Sequence, residues 1–406
     1  MHGSNVDSPS SLIRAEMALR ARRRQEIHRR AEAASPDTSA EPTYAFETGA
    51  PATTQIYLRR GLAREPHRFP CIPAQCAASP HFVLADPRVA ELYGRAFVEG
   101  LSDMGYDVHT IVLPEGEAAK AFDNYQRIVD RVLSEGIDER SVLISLGGGA
   151  AGNLCGFVAS TLYRGIGLVH VPTTLMAQCD SAISHKQAVN GRLGKNLVGS
   201  YYAPLCIGVD VEVLGTLDEP LIVDGLAEVI KHALAQDPTY IDWLVGYAGD
   251  RRDLDFLEAA VRRNIELKCE LIRLDPREKR EAMVLQYGHT VGHAIEFLSG
   301  FGLRHGQAVA IGMVVAARVA RLLGACGEDV VELHERLLGQ YGLQTRVPAG
   351  IDPDEVVRAL RYGKRYLTEG VRMALPTAPG TLWSVDGEYA IPVAEAVIRE
   401  ALEATY

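Results

Sequence analysis

The chain has 406 residues, of which 47% are hydrophobic and 23% are charged, and its formal net charge is −10 at pH 7. This composition is typical of a globular protein, the length suggests two domains, and the negative charge argues against a general nucleic-acid-binding surface. The sequence shows no apolar run long enough for a membrane span, no apolar signal core and no paired cysteine spacing. We therefore expect a cytoplasmic protein with reduced thiols.

Residues 1–45 are predicted to be a disordered or frayed extension. They are rich in Arg, Ala, Glu, Ser and Pro and show almost no apolar period. Such a segment buries too little apolar surface to offset the entropy lost on ordering. We interpret its arginine cluster as part of a solvated tail, and contact with an anionic partner is the alternative.

Residues 46–215 alternate between short apolar or β-branched runs and segments with helical spacing. The predicted strands are 81–86, 107–113, 141–149, 167–174 and 205–210, and the clearest helices between them are 87–105 and 121–136. This alternation predicts a Rossmann-like α/β domain, in which helices cover a parallel sheet.

Residues 216–406 carry helical spacing nearly throughout. The clearest helices are predicted at 219–237, 253–273, 283–300 and 305–325. We therefore predict an all-helical second domain, with a ligand-binding cleft between it and the first domain.

The motif "LGGGAAGN", residues 146–153, joins a predicted strand to a helix. Consecutive glycines let backbone N–H groups approach a pyrophosphate, and the following helix offers its positive N-terminus. Thr173 and Thr174 end the next strand, at the edge where parallel sheets bind ligands. A tight structural turn is the alternative interpretation of the glycines.

Residues 184–204, "SHKQAVNGRLGKNLVGSYYAP", are predicted to form a polar loop. Lys186, Asn190, Lys195 and Asn196 stand there among glycines and small residues. Amines and amides with little bulk suit an anionic substrate that carries several hydroxyl groups. A solvated lysine loop is the alternative.

Two histidines in "QYGHTVGHAIE" are predicted to share one helix face, because His289 and His293 are four residues apart. Glycines beside them are expected to leave the neighbouring surface open. His305 begins the next apolar helix, and Glu228 lies on an apolar helix where an unpaired charge would be costly. One glutamate and two histidines would form a catalytic metal site with an open position, whereas the alternative is histidines that only pack. Spacing does not decide which histidine is left over.

Taken together, these motifs resemble those of the dehydroquinate synthase superfamily of sugar phosphate cyclases. The resemblance runs from about residue 80 to 345 through "GGGAAGN", "YRG", "VPTTL", "DSAISHKQAVN", "GKNLVG", "GLAEVIK", "YGHTVGHAIE" and "HGQAVAIGM", in this order. It implies an NAD-binding domain, a metal-binding helical domain, one divalent ion (Zn or Co) and a homodimer. The implied reaction oxidises a hydroxyl of a sugar phosphate, eliminates phosphate, reduces the ketone again and closes a carbocycle by an aldol step.

The resemblance also implies roles for individual residues. The implied metal ligands are Glu228, His289 and His305, and His293 lies close to the substrate. Arg164 of "YRG" would reach the phosphate across the dimer interface. The other implied substrate or catalytic residues are Asp180, Lys186, Lys195, Asn196, Lys231, Lys268 and Gln286. The implied NAD-binding residues are Asp86, Glu117, Lys120, Gly147, Gly148, Gly149, Asn153, Thr173 and Thr174.

Two positions indicate the branch of the family. Dehydroquinate synthases typically carry an arginine and an asparagine where this chain has Ala282 and Gln286, and the arginine binds the substrate carboxylate. A methyl group cannot form that ion pair. These changes resemble the 2-deoxy-scyllo-inosose synthases of aminoglycoside biosynthesis, whose substrate, glucose 6-phosphate, has no carboxylate. Those synthases usually have glutamate at position 286, so another hexose or heptulose phosphate stays open, as does a metal-dependent polyol dehydrogenase.

Overall fold

The computed structural model describes residues 53–68, 72, 73, 76, 78–192, 194–300, 302–360 and 370–406. The predicted extension, residues 1–45, lies outside this part of the chain. Within it, no helix is long and apolar enough to cross a bilayer.

A six-stranded parallel sheet organises the first half of the chain. Its strands are β1 (Gln55–Leu58), β2 (Pro80–Ala85), β3 (Asp107–Val112), β4 (Val142–Gly147), β5 (Gly167–Pro172) and β8 (Cys206–Val209), in the order β1-β8-β5-β4-β2-β3. Side chains of β2 alternate between two apolar clusters: Val83 packs on one face and Phe82 and Leu84 on the other. Both faces are therefore covered, as expected for a parallel sheet.

The covering helices of this half are α1 (Arg95–Asp103), α2 (Phe122–Ser134) and α3 (Gly149–Thr161). Helix α3 begins directly after β4, with Gly148 as its N-cap. The strands and helices predicted from periodicity are confirmed, and β1 is an additional strand that the sequence analysis did not identify.

The predicted polar loop at 184–204 is wrong. It contains an antiparallel hairpin of β6 (Lys186–Gly191) and β7 (Gly194–Tyr201). Its glycines and exposed polar residues hid the strand alternation, because one face of the hairpin is open to solvent. We call residues 186–201 the substrate hairpin.

The second half is mainly helical. Its helices are α4 (Glu219–Gln236), α5 (Pro238–Gly246), α6 (Leu254–Leu274), α7 (His289–Leu298), α8 (His305–Leu322), α9 (Glu328–Gln340), α10 (Pro353–Leu360) and α11 (Glu395–Glu403). The structure adds two short ribbons, formed by β9 (Arg372–Met373) with β12 (Ile391–Pro392) and by β10 (Pro376–Ala378) with β11 (Thr381–Leu382). One apolar cluster joins these helices to one face of the sheet. The α/β-plus-helical fold class is confirmed, and the boundary near residue 215 stays a prediction.

One predicted helix is interrupted. The segment 283–300 is a 3₁₀ helix, Glu281–Gln286, followed by α7, because Gly288 adopts a left-handed backbone conformation with φ 75°. A Cβ at Gly288 would lie 2.8 Å from the carbonyl oxygen of Val309 on α8. The surface beside the two histidines is therefore not open, as we expected, but filled by α8. This close approach brings α7 and α8 together at their N-terminal histidines.

Candidate active site

Helix α4 carries a buried carboxylate and a buried ammonium group side by side. Glu228 is fully buried, and Lys231, one turn later, forms an ion pair with it. Burial opposes the ionisation of Glu228, but Lys231 and two histidines outweigh it and hold the pKa of the carboxyl well below its usual value. The helix thus presents an ionised carboxylate inside the protein.

Both predicted histidine ligands face this carboxylate through the same ring atom. His289 Nε2 lies 3.6 Å and His305 Nε2 lies 3.7 Å from Glu228 Oε1. The Nδ1 atoms point away: that of His289 bonds the carbonyl oxygen of Tyr287 at 2.9 Å, and that of His305 bonds Glu296 Oε2 at 3.2 Å. When Nδ1 carries the proton that makes these bonds, both Nε2 lone pairs point towards Glu228.

The charges around His305 differ from those around His289. Burial lowers the pKa of His305, but its bonds to Glu228 and Glu296 outweigh this effect and raise the pKa to about 10. For His289, burial and the nearby Lys231 lower the pKa well below its usual value. A cation between Glu228 and the two Nε2 atoms would therefore replace the proton that His305 holds in its absence.

These residues fit a divalent metal ion. One carboxylate and two imidazoles are ligand types that zinc and cobalt accept, and neither oxygen of Glu228 has a hydrogen bond of good geometry within the described chain. His293 is also near, since its ligand atom lies within 4.8 Å of those of His289 and His305. Two ligand sets therefore exist, one with Glu228 and one with the more exposed His293. We favour Glu228, because it supplies the charge that a buried cation needs, and the role of His293 stays a prediction.

Two lysines converge on Asp180 beside this centre. Lys268 Nζ donates to Asp180 Oδ1 at 2.5 Å, and Lys231 Nζ lies 3.9 Å from the same oxygen. Desolvation raises the pKa of Asp180, but the two ammonium groups dominate and lower it below its usual range. The predicted substrate residues Asp180, Lys231 and Lys268 are thus in one cluster with Glu228.

A second carboxylate in this region escaped the sequence analysis. Glu278 is 2% exposed and has a left-handed backbone conformation with φ 49°. It forms an ion pair with Lys186 and accepts a hydrogen bond of 3.2 Å from Gln286 Nε2. In the sequence Glu278 belongs to the charged run "PREKRE", which is typical of a solvated surface, so only the tertiary contacts reveal it.

Ala282 also lies in this region, on the 3₁₀ helix that carries Gln286. It is fully buried and packs with Ile272 and Leu285. No cation stands at this position, and the methyl group faces an apolar cluster.

The glycine motif lies at the carboxyl end of the sheet. Gly147 accepts a hydrogen bond of 3.0 Å from the backbone N–H of Thr173, and a Cβ at Gly148 would lie 3.1 Å from Thr174 Cγ2. A Cβ at Gly147 would lie 3.9 Å from Asp86 Oδ2, so the ends of β2, β4 and β5 meet here. Asp86 also caps the turn that follows β2, through a bond of 3.0 Å from the Val89 N–H.

A polar chain connects the glycine motif with the substrate hairpin. Asn153, on the first turn of α3, bonds the buried Lys120 Nζ at 3.3 Å and the carbonyl oxygen of Lys186 at 3.0 Å. Lys120 also contacts Asn196 Oδ1 and lies 3.4 Å from Glu117 Oε1. Burial lowers the pKa of Lys120, and Glu117 opposes this effect. The predicted cofactor residues Glu117, Lys120 and Asn153 thus border the predicted substrate residues.

Arg164 is the one predicted site residue that the structure does not bring into this cluster. It follows α3, which starts at the glycine motif and runs about 18 Å to the opposite edge of the sheet. Arg164 is exposed and has φ 64°. Within the described chain its guanidinium group has no recorded partner.

The family models match most of the part that carries this cluster. The model of the 3-dehydroquinate synthase N-terminal domain matches residues 110–223, and that of the C-terminal domain matches residues 225–366.

The chain belongs to the 3-dehydroquinate synthase family.

Relatives within this family have two different names. A 2-deoxy-scyllo-inosose synthase of Streptoalloteichus tenebrarius is 42% identical over 290 residues, which are 71% of this chain and 75% of that protein. A second one, of Streptomyces ribosidificus, is 40% identical over 81% of this chain and 86% of that protein. A 3-dehydroquinate synthase of Syntrophotalea carbinolica is 40% identical over 72% of this chain and 82% of that protein.

Solved structures agree with the fold of this 3-dehydroquinate synthase family member. A 2-deoxy-scyllo-inosose synthase complexed with carbaglucose-6-phosphate, NAD⁺ and Co²⁺ matches with a TM-score of 0.78 at 27% identity, covering 86% of this chain and 96% of that one. The resemblance predicted from the motifs is therefore confirmed. Individual site assignments stay predictions.

Proposed function

We propose that this chain converts glucose 6-phosphate into 2-deoxy-scyllo-inosose and phosphate, as a carbon–oxygen lyase that uses NAD and one divalent metal ion. Family membership supports the cyclase chemistry, and relatives of 38–42% identity bear this enzyme's name. The complex of a related synthase with NAD⁺, Co²⁺ and a glucose 6-phosphate analogue supports the cofactors and the substrate class.

The observation that carries the choice of substrate is the surroundings of Ala282. Its methyl group is fully buried against Ile272 and Leu285. A substrate carboxylate placed there would lose water without gaining a cation, which is unfavourable. The neighbouring Gln286 offers an amide that can bond a hydroxyl group. This end of the site thus favours an uncharged polyol over a carboxylic acid.

The cofactors would occupy adjoining parts of the cluster. NAD would lie along Gly147–Gly149 with its pyrophosphate at the N-terminus of α3, and the metal ion would lie between Glu228, His289 and His305. Bound there, NAD takes up and returns a hydride while the metal ion polarises the substrate oxygen that is oxidised.

The remaining residues would bind and orient the sugar phosphate. Lys195 and Lys268 supply positive charge for the phosphate, and Lys186 with Glu278 and Gln286 forms a hydrogen-bonding wall for hydroxyl groups. His293 and Lys231 stand beside the metal ligands, where each can exchange a proton with the substrate. These roles follow from position and chemistry.

Purified protein with NAD and Co²⁺ or Zn²⁺ is expected to release phosphate from glucose 6-phosphate without accumulating NADH. The hydride taken from the substrate returns to it, so absorbance of reduced cofactor does not grow with turnover. Phosphate would be measured colorimetrically beside absorbance at the NADH band. Accumulation of NADH without phosphate would instead identify a polyol dehydrogenase and overturn the proposal.

The alternative is 3-dehydroquinate synthase, which the relative from Syntrophotalea carbinolica favours. The seven-carbon acid substrate of that enzyme would be tested in parallel under the same conditions. Phosphate release from the acid alone would show that another residue takes the place of the missing arginine at 282. Release from neither substrate would direct the test to other hexose and heptulose phosphates.

A cradle variant tests the cofactor site. A Cβ at Gly149 would lie 2.8 Å from Ser181 Oγ, a buried hydroxyl without a hydrogen bond in the described chain. Gly149→Ala is therefore expected to weaken NAD binding by roughly tenfold, since a displacement of this turn moves the N–H groups that face the pyrophosphate. The double variant Gly149→Ala/Ser181→Ala removes the clash and should recover most of the affinity. Equal NAD affinity in all three proteins, measured by calorimetry, would place the dinucleotide elsewhere.

We also propose a homodimer with shared sites. The exposed Arg164 lies at the edge of the sheet opposite the glycine motif, so it cannot reach the phosphate site of its own subunit. It could serve the site of a second copy. Exposed apolar side chains of the substrate hairpin, Leu197, Val198 and Tyr201, offer further contact area. A dimer in sedimentation analysis is the expected result.

A further inference from the structure

Glu296 joins three elements of the cluster, and no role was assigned to it above. It lies on α7 and is buried. Its Oε1 accepts a hydrogen bond of 2.8 Å from Lys195 Nζ on β7, and its Oε2 bonds His305 Nδ1 on α8 at 3.2 Å. Each oxygen thus has its own cationic or donating partner. Burial disfavours the charge of Glu296, but these partners outweigh it and lower the pKa to about 2.

The bond to His305 decides which ring nitrogen is available. With a proton on Nδ1 held by Glu296, the Nε2 lone pair points towards Glu228, 3.7 Å away. A carboxylate in this position orients a ligand histidine and raises its basicity. His289 depends instead on a backbone carbonyl, that of Tyr287, for the same orientation. Of these two histidines, only His305 is therefore held by a side chain that also contacts the substrate hairpin.

The bond to Lys195 holds the hairpin against α7. Lys195 is 27% exposed and Glu296 is 9% exposed, so water screens this ion pair only in part. The hairpin also carries Lys186 and Asn196, which border the substrate and cofactor regions. A change in the position of Lys195 would consequently move a wall of the substrate site.

We propose that Glu296 is a positioning residue that couples metal binding at His305 to the position of the substrate hairpin. This inference rests on the proposed metal site and goes beyond it, because it assigns one carboxylate to both the ion and the substrate-binding strand. Coupling of this kind is reciprocal: whatever stabilises the bond to His305 in the right orientation stabilises the geometry that Lys195 shares.

The variant Glu296→Gln tests the proposal. An amide has one acceptor oxygen and no charge, so it cannot serve Lys195 and His305 as a carboxylate does. The affinity for Co²⁺ or Zn²⁺, measured by competition with a chromophoric chelator, is expected to fall roughly 10- to 100-fold. Hydrogen exchange of hairpin amides in the metal-saturated variant is expected to be roughly tenfold faster, since a charge-assisted contact is lost.

The variant Lys195→Met separates the two functions. It removes the hairpin contact and leaves Glu296 to His305, so hairpin exchange should accelerate while metal affinity stays within about twofold of the native value. Glu335→Gln is the matched control, because it breaks another glutamate ion pair, that with Arg318, and should change neither quantity. Retained folding of each variant would be checked by thermal unfolding.

Native metal affinity and native hairpin exchange in Glu296→Gln would overturn the proposal. Loss of metal affinity in Lys195→Met as large as that in Glu296→Gln would also overturn it, because the effect would then be a general disturbance of the site. The variant His305→Ala distinguishes failure of this proposal from failure of the metal site. If it binds metal as tightly as the native chain, the ligand assignment itself is wrong, and the coupling falls with it.

Discussion

Replacing Glu228 with glutamine is expected to abolish metal binding and to lower phosphate release from glucose 6-phosphate by about 10³-fold or more. The carboxylate is fully buried, and His289 and His305 point their Nε2 atoms at it from 3.6 and 3.7 Å. The amide of Glu228→Gln is nearly isosteric but neutral, so the ion would lose its charged ligand. Metal content by elemental analysis and phosphate release would be measured on the same preparations.

Folding of this variant needs its own control. Glu228→Gln leaves the ammonium group of Lys231 buried beside an uncharged partner, and breaking such a buried pair typically costs about 3–5 kcal/mol. The double variant Glu228→Gln/Lys231→Met removes both charges and should recover part of that stability without recovering metal. Glu266→Gln, which removes an exposed carboxylate paired with Arg263, is the surface control. Native activity in a folded, metal-free Glu228→Gln protein would contradict the proposed site.

Replacing Arg164 with alanine is expected to lower kcat/KM by roughly 10²- to 10³-fold, if its guanidinium binds the phosphate of a second subunit's substrate. The residue is exposed, has no recorded partner in the described chain and lies at the sheet edge remote from its own glycine motif. Stability should change little, because no described contact is lost. Arg140→Ala, an exposed arginine at the same edge of the sheet, is the matched control.

Mixing two inactive variants tests whether the site is shared. A heterodimer of Arg164→Ala and Glu228→Gln subunits contains one site with a native Glu228 from one subunit and a native Arg164 from the other. Random exchange in an equal mixture should therefore restore about a quarter of the native activity. Activity that stays at the level of the separate variants after subunit exchange would show that Arg164 does not act across an interface.

Much of the fold could be predicted from the sequence, because hydrophobic periodicity reports burial directly. Strands β2 to β5 and the helices α4, α6 and α8 appear as uninterrupted patterns, and the local spacing alone determines which face is apolar. The substrate hairpin and the break at Gly288 could not be predicted this way. The hairpin buries only one face, and the break depends on the approach of α8, which is distant in sequence.

The sequence by itself determined which chemical groups are present: the glycine motif after β4, the lysines, and the histidines that ordered motifs identify as a family pattern. Only the tertiary structure decided how they are used. Glu278 and Glu296 could be recognised as parts of the cluster only through their contacts with Lys186, Gln286, Lys195 and His305. A charged residue has no periodic signature of burial, and its role depends on partners that folding brings from distant parts of the chain.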